Sequence, residues 1–384
     1  MENNRFFPEI HGYFGFGCMR LPMKDKQVDM DQFTQMVDIF LDAGFNYFDT
    51  AHGYLGGQSE IALREGLVKR YPREKYILTN KLSTHFFTRE EEVLPLLDQE
   101  LEACGVDYFD FLLMHAQDAA IYEKYRRCRA YEQSLKFVAE GKAKHFGISF
   151  HDKANVLDRI LTDWPQIEIV QIQLNYLDWE DAAVESKKVH DVCAKHGKPV
   201  ITMEPVKGGS LVNLPDDAQK ILDALNRARE SEHSNASYAL RFAGSQPQVA
   251  MVISGMSDLA QMRDNAAEMS DFHILDEAEQ EAVRQVTEVF RGMNMIPCTG
   301  CRYCVLDNDC PKKILIPDLF SCYNLKTTFH SWNQDYYYSN ILTRENGKAS
   351  ECIRCGKCER ICPQHLPIRT LLKDVASEFE EVSK

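Results

Sequence analysis

Residues 31–51 read DQFTQMVDIFLDAGFNYFDTA. In the first half, Phe33, Met36, Val37 and Phe40 recur at three- and four-residue spacing, the signature of a helix with one buried face. Gly44 supplies the residue that ends such a helix most readily. The second half, Asn46 to Ala51, is a short and nearly continuous apolar run. That suits a strand covered on both faces, as in a parallel sheet.

The same period repeats outward in both directions. Strand candidates are YFGFGCM from Tyr13, NYFDTA from Asn46, YILTNKL from Tyr76, YFDFLLMHA from Tyr108, HFGISFH from His145, EIVQIQLNYL from Glu168, PVITMEPV from Pro199 and VAMVISGM from Val249. Between them lie amphipathic stretches such as SEIALREGLVKRY, EEEVLPLLDQELEACG and AAVESKKVHDVCAKHG, with stops at Gly105, Gly141 and Gly197. Eight strand–helix units in about 270 residues match a closed (β/α)8 TIM barrel of the α/β class. The competing doubly wound sheet would carry a G-x-G-x-x-G turn after an early strand, and GFGCMR is not that pattern. A further amphipathic stretch, DEAEQEAVRQVTEVFRG, leads into MNMIPCTGC, where composition changes abruptly. The expected organisation is a barrel over 1–292 and a smaller, α-helical, ferredoxin-like iron–sulfur domain over 293–384.

Composition bounds the function. Of the 384 residues 44% are hydrophobic and 27% charged, ordinary for a globular protein. The longest apolar runs fall far short of a bilayer span, and the N-terminus has no basic segment followed by an apolar one. A cytoplasmic protein that does not engage membranes is expected. The net charge is −14. Nucleic-acid binding depends on basic surfaces, so it is not expected either.

Thirteen cysteines are unusual for such a chain. Cys18, Cys104, Cys128 and Cys193 are scattered and read as small buried apolar groups. The other nine lie between Cys298 and Cys362. Disulfides are rare in a reducing compartment, so clustering points to metal or redox chemistry. Cys352-x2-Cys355-x2-Cys358-x3-Cys362-Pro363 has the bacterial ferredoxin spacing, and Cys298-x2-Cys301-x2-Cys304-x5-Cys310-Pro311 is a variant with a longer last gap. In that pattern three cysteines of one motif hold a [4Fe–4S] cluster with the Cys-Pro cysteine of the other motif. The expected sets are Cys298, Cys301, Cys304 and Cys362 for one cluster, and Cys352, Cys355, Cys358 and Cys310 for the second. Cys322 is the alternative to Cys310. Zinc is the rival reading, but it has no use for triplets each followed by Cys-Pro.

The strand ends carry the remaining chemistry. Asp49 lies near the end of NYFDTA, Tyr54 follows in the next loop, Lys81 lies near the end of YILTNKL and His115 near the end of YFDFLLMHA. The C-terminal strand ends form the face on which barrel active sites are built. A Tyr near pKa 10 is a reluctant proton donor at neutral pH. An adjacent ammonium such as Lys81 favours the phenolate, and Asp49 can hold that ammonium in place. His115 can donate to a carbonyl oxygen.

These phrases, with GFGCMRLP, GKAKHFGIS, VQIQLNY and VISGMSDLAQMRDNAA, resemble the aldo-keto reductase family, in its ferredoxin-tailed branch. The resemblance implies an oxidoreductase that reduces a small aldehyde or ketone with NADPH or NADH through an Asp49–Tyr54–Lys81–His115 tetrad. It places the nicotinamide near Ser149, Gln171 and Met203, and the adenosine phosphate near Ser254, Gly255, Met256, Gln261 and Asn265. NADPH is the family default. Phe150 replaces the Asn that commonly follows Ser149. Met203 stands where many members stack a Tyr, and Gly255 and Gln261 stand where basic residues often grip a 2′-phosphate. Glu204 reads as a structural carboxylate paired with an arginine, with a specificity group as the alternative.

Two other functions fit the same motifs. A ferredoxin or another electron carrier could feed the clusters, which would then drive reduction in the barrel. Because a hydride carries two electrons and a cluster one, that route needs a flavin or a radical step, and no flavin motif is present. The third reading is a redox-sensing scaffold on a retired barrel.

Overall fold

The computed structural model describes residues 4–181, 184–293, 295–308, 310–328 and 334–380. The chain divides into two compact units. The first holds Met1–Asp181, Glu185–Pro205 and Ala236–Asp276; the second holds Ala182–Val184, Val206–Asn235 and Glu277–Lys384.

The first unit is a closed barrel of eight parallel strands. They are β1 (Phe14–Gly17), β2 (Tyr47–Asp49), β3 (Ile77–Leu82), β4 (Phe109–Gln117), β5 (Ala143–Phe150), β6 (Ile169–Gln173), β7 (Val200–Met203) and β8 (Val249–Gly255). Each strand pairs with its sequence neighbours, and β1 pairs with β8 to close the ring, Phe16 opposite Ser254 and Gly17 opposite Gly255. The (β/α)8 barrel expected from the helix–glycine–strand period is therefore the fold. Each strand falls inside one of the apolar runs quoted above or extends beyond it by at most two residues.

Local rules account for the helices. The first, α1 (Met30–Asp42), buries Phe33, Met36, Val37 and Phe40, and the Asp29 carboxylate accepts the Gln32 N–H at its start. Gly44, Gly105, Gly141 and Gly197 all adopt positive φ, as helix-ending glycines do. The stretch SEIALREGLVKRY is not one regular helix. An α-helical piece, α2 (Gln58–Leu63), widens into a π-turn over Arg64–Val68. There Gly66 packs so closely on the Phe33 ring that a Cβ would lie 2.7 Å from it. Next, α3 (Val93–Cys104) follows a short 3-10 turn. The AAVESKK stretch gives a helix over Ser186–Lys195; Ala182 and Ala183 lie outside the described residues.

The barrel interior is filled, not hollow. Tyr47, Ile77, Phe111, Leu113, Ile169, Ile201, Met251 and Ile253 form one buried cluster with Phe7 and Ile10 of the N-terminal segment. The Phe7 ring meets Phe111 edge-on at 5.0 Å. Close strand approach is needed at Gly147, where a Cβ would sit 2.6 Å from the Ile169 carbonyl oxygen.

Among the described residues the second unit has no strand. Helices Asp216–Arg229 and Glu277–Arg291 belong to it, followed by short helices around a core of Ile296, Ile314, Ile316, Leu319, Phe320, Tyr338, Ile368, Leu372 and Val375. No helix of the described residues is long and apolar enough to cross a membrane.

Candidate active site and cysteine recesses

Parallel register brings the four tetrad residues to one end of the barrel. Asp49 is the last residue of β2, Lys81 the next-to-last of β3, and Tyr54 opens a tight 3-10 turn after β2. Lys81 is fully buried and spends its ammonium on three acceptors. Its Nζ lies 2.6 Å from Asp49 Oδ1, 2.8 Å from the Thr50 carbonyl oxygen and 3.3 Å from Tyr54 Oη. An ammonium has three N–H donors, so the geometry saturates it. Burial lowers the Lys81 pKa, and Asp49 opposes that shift. Burial raises the Asp49 pKa, with Lys81 and Gln171 opposing. Such a pair survives only because each partner offsets the other's desolvation.

His115, near the end of β4, faces the same point, with its ring 5.7 Å from that of Tyr54. Its Nδ1 lies 2.5 Å from Ser83 Oγ. Burial, then the positive charge of Lys81, holds its pKa well below the ordinary imidazole range. The ring is therefore neutral at neutral pH. The Ser83 hydroxyl can donate to Nδ1, which puts the ring proton on Nε2, or accept from it. Tyr125 braces this corner by donating to the carbonyl oxygens of Leu82 and His115, at 2.6 and 2.9 Å.

The residues assigned to the cofactor occupy the neighbouring strands. Ser149 on β5 and Gln171 on β6 are register partners, and Met203 ends β7 opposite Gln173. Gln171 donates to Asp49 Oδ2 at 3.2 Å, so it serves the tetrad as well. Asn265 donates to Ser254 Oγ at 3.1 Å, and Met256 is buried beside them in sequence. Gln261 lies in the first turn of the helix Leu259–Ser270, where Asp258 caps it: the carboxylate accepts the Gln261 backbone N–H at 2.8 Å and its side-chain N–H at 2.9 Å. Gly255 lies against the Arg20 side chain. Glu204 meets Arg20 at 3.4 Å, the arginine pairing expected of it. Thr50, Ser83 and Asp258 escaped sequence reasoning. Their parts depend on a carbonyl, a hydroxyl and a cap, and none of these carries a motif.

In the second unit two recesses are lined by cysteines. One is lined by Cys298, Cys301, Cys304 and Cys362, with Phe320, Leu366 and Ile368 around them. The other is lined by Cys310, Cys352, Cys355 and Cys358, with Ile314, Ile316 and Leu372. These are the two crossed sets expected from the spacing. Burial pushes the Cys304 thiol up, and Cys301, Cys298 and Cys362 push it further. Such crowding favours a cation that would take all four as thiolates, and the apolar walls suit a cluster shielded from water. Cys322 lines neither recess. It is buried in the tail core with Sγ 3.4 Å from the Gln334 carbonyl oxygen. In the longer gap of the first motif, Asp309 lies outside the described residues. Tyr338 is buried and stacks on Phe379 at 4.5 Å, while Tyr336 and Tyr337 are exposed. The glycine turn Lys207–Gly209 packs on the first cysteine motif, with the Gly208 Cα against the Thr299 backbone.

A barrel with this strand-end constellation defines a class of oxidoreductase, and the comparisons specify the family. Residues 14–288 match the family model described as Aldo/keto reductase family, and residues 297–367 match a 4Fe-4S dicluster domain. The chain belongs to the aldo/keto reductase family, and it is an oxidoreductase carrying a C-terminal 4Fe-4S domain. It is 24% identical to L-galactose dehydrogenase of Arabidopsis thaliana, over 72% of this chain and 89% of that protein. It is 23% identical to the NADH-specific methylglyoxal reductase of Escherichia coli (strain K12), over 66% and 87%. Among solved structures, an aldo-keto reductase from Klebsiella pneumoniae in complex with NADPH superposes with a TM-score of 0.59, at 21% identity, over 72% of this chain and 90% of that one. The holo form of an aldo-keto reductase from Bacillus halodurans gives 0.58 at 22% identity, over 74% and 96%.

Proposed function

We propose that the barrel interconverts a small carbonyl compound and its alcohol, with Tyr54 as the acid–base group. The observation that carries this reading is the placement of Lys81, whose buried ammonium touches Asp49 on one side and Tyr54 Oη on another. When Tyr54 gives its proton to the substrate oxygen, the Lys81 N–H already points at the phenolate left behind. Asp49 opposes the lowering of the Lys81 pKa that burial imposes. Neutral His115 donates from Nε2 to the same substrate oxygen and orients it.

Bound NADPH or NADH supplies the hydride. Ser149, Gln171 and Met203 hold its nicotinamide, and Ser254, Gly255, Met256, Gln261 and Asn265 hold its adenosine end. The relatives' names, one NADH-specific and one solved with NADPH, support a nicotinamide cofactor of either kind. Tyr54→Phe removes only a hydroxyl. Turnover should fall by about 10²–10⁴, the usual worth of a positioned acid, while nicotinamide affinity stays unchanged. Wild-type turnover in this variant would overturn the assignment.

The tail holds two [4Fe–4S] clusters, one on Cys298, Cys301, Cys304 and Cys362 and one on Cys310, Cys352, Cys355 and Cys358. The two four-cysteine recesses support this. Anaerobically purified protein should contain about eight iron and eight sulfide per chain; two zinc and no sulfide would overturn it. Cys355 is exposed to solvent, which favours clusters that exchange electrons with a carrier over clusters that only brace the tail.

A further inference from the structure

The solvent edge of the second recess differs from the rest of the molecule. Cys355 is the exposed member of the thirteen cysteines. Two residues before it, Ile353 lines the same recess and is 57% exposed, so a large apolar side chain stands in water beside a cluster ligand. The exposed charges beside it are positive except for Glu351. Lys312 lines the recess and is exposed. Arg354 and Lys357 flank Cys355 and Gly356 and are exposed. Arg360 Nη1 lies 3.5 Å from the Cys355 carbonyl oxygen. The nearby carboxylate of Glu359 is taken up by Arg369 at 2.6 Å. This basic edge belongs to a chain whose net charge is −14.

We propose that this edge is the docking surface for an acidic one-electron carrier protein, with Ile353 as the apolar contact and Lys312, Arg354, Lys357 and Arg360 as the charged ring. The proposal rests on the reading that Cys310, Cys352, Cys355 and Cys358 hold a cluster. An acidic carrier is repelled by the net negative charge of the chain and drawn to the basic edge where Cys355, the most open of the proposed ligands, meets solvent. Charge of this kind sets encounter rate and orientation more than affinity. A small apolar contact inside a charged ring is the anatomy of a weak, fast-exchanging redox encounter. In the step itself one electron leaves the reduced carrier and enters the cluster. No bond or proton moves.

The test is anaerobic stopped-flow mixing of the full chain with a reduced, acidic bacterial ferredoxin, following the cluster absorbance. Iron and sulfide are assayed on every preparation. The second-order constant should fall about tenfold between low and moderate salt, as steered encounters do. It should fall by a similar factor in the double variant Lys312→Glu, Lys357→Glu, and also in Ile353→Ser. Reduced methyl viologen, a small cation that needs no docking surface, should reduce the double variant at least as fast as the parent. A rate indifferent to salt and to all three substitutions would overturn the docking surface, and so would clusters reduced by viologen but not by ferredoxin. Absence of iron and sulfide would instead overturn the cluster reading beneath it, a failure that the assay separates from the other two.

Discussion

Ser83 Oγ lies 2.5 Å from His115 Nδ1, which ties that nitrogen of the buried imidazole to the protein. A buried ring kept neutral by desolvation and by Lys81 can either donate or accept at Nε2. The role proposed for His115 requires Ser83 to donate to Nδ1, so that Nε2 carries the proton. In Ser83→Ala the ring loses that constraint. The KM for the carbonyl substrate should rise about tenfold with a smaller change in kcat, and ¹⁵N spectra should show mixed tautomers. Unchanged kinetics and a single tautomer would mean that the protein fixes the ring by other contacts.

Asp49→Asn tests the counter-ion. Asp49 raises the Lys81 pKa against the lowering effect of burial, so its loss lets the Lys81 pKa fall further. The ammonium is then lost at lower pH. The alkaline limb of the pH–rate profile should move to lower pH, with turnover at neutral pH reduced by about 10². A profile that keeps its shape would separate Asp49 from the charge state of Lys81.

The helix–strand period was legible in the sequence because buried faces must repeat with the geometry of their element. All eight strands lie where apolar runs are bounded by turns. The cysteine grouping around the two recesses was legible too, since the ferredoxin pattern crosses each Cys-Pro cysteine to the other motif's triplet. Spacing alone left Cys322 open. Only packing places it in the tail core, away from both recesses. The Thr50 carbonyl, Ser83 and the double duty of Gln171 were not legible. Each is a distance across strands, and a residue's type does not say which neighbour register will give it.

Glu100 on α3 was equally invisible. It is fully buried, and neither carboxylate oxygen has a hydrogen-bond partner among the described residues. Burial, then the Glu60 charge, raises its pKa well above the usual carboxylate range. The folded state therefore keeps a proton that the unfolded state releases above about pH 4.3. Stability falls as pH rises from there toward the folded pKa. Glu100→Gln should raise the Tm at pH 8, and the gain should shrink toward zero near pH 4. An equal shift at both values would show that the effect is packing and not titration.

Asp258 bears on the choice between NADPH and NADH. Its carboxylate occupies the start of the helix Leu259–Ser270, engaging both N–H groups of Gln261. A 2′-phosphate brought to this end would meet a negative cap where an anion is otherwise favoured. The chain should bind NADH at least as tightly as NADPH. Asp258→Ser keeps a capping hydroxyl and removes the charge, and it should improve NADPH affinity relative to NADH by about fivefold. Titration of both cofactors against both proteins checks this, and a constant ratio would show that the phosphate lies elsewhere.

Cys362 belongs by sequence to the second cysteine motif, yet it lines the recess of Cys298, Cys301 and Cys304, while Cys310 of the first motif lines the recess of the other triplet. Loss of one ligand should remove one cluster and leave about four iron, so single variants can be sorted by which spectrum survives. Cys362→Ala should match Cys301→Ala in its low-temperature EPR signal after reduction, and Cys310→Ala should match Cys355→Ala. If the clusters were held motif by motif, Cys362→Ala would match Cys355→Ala instead, and the crossed assignment would be wrong. Cys322→Ala is the internal control. It should keep about eight iron and lose only stability, because its thiol packs in a buried core away from both recesses.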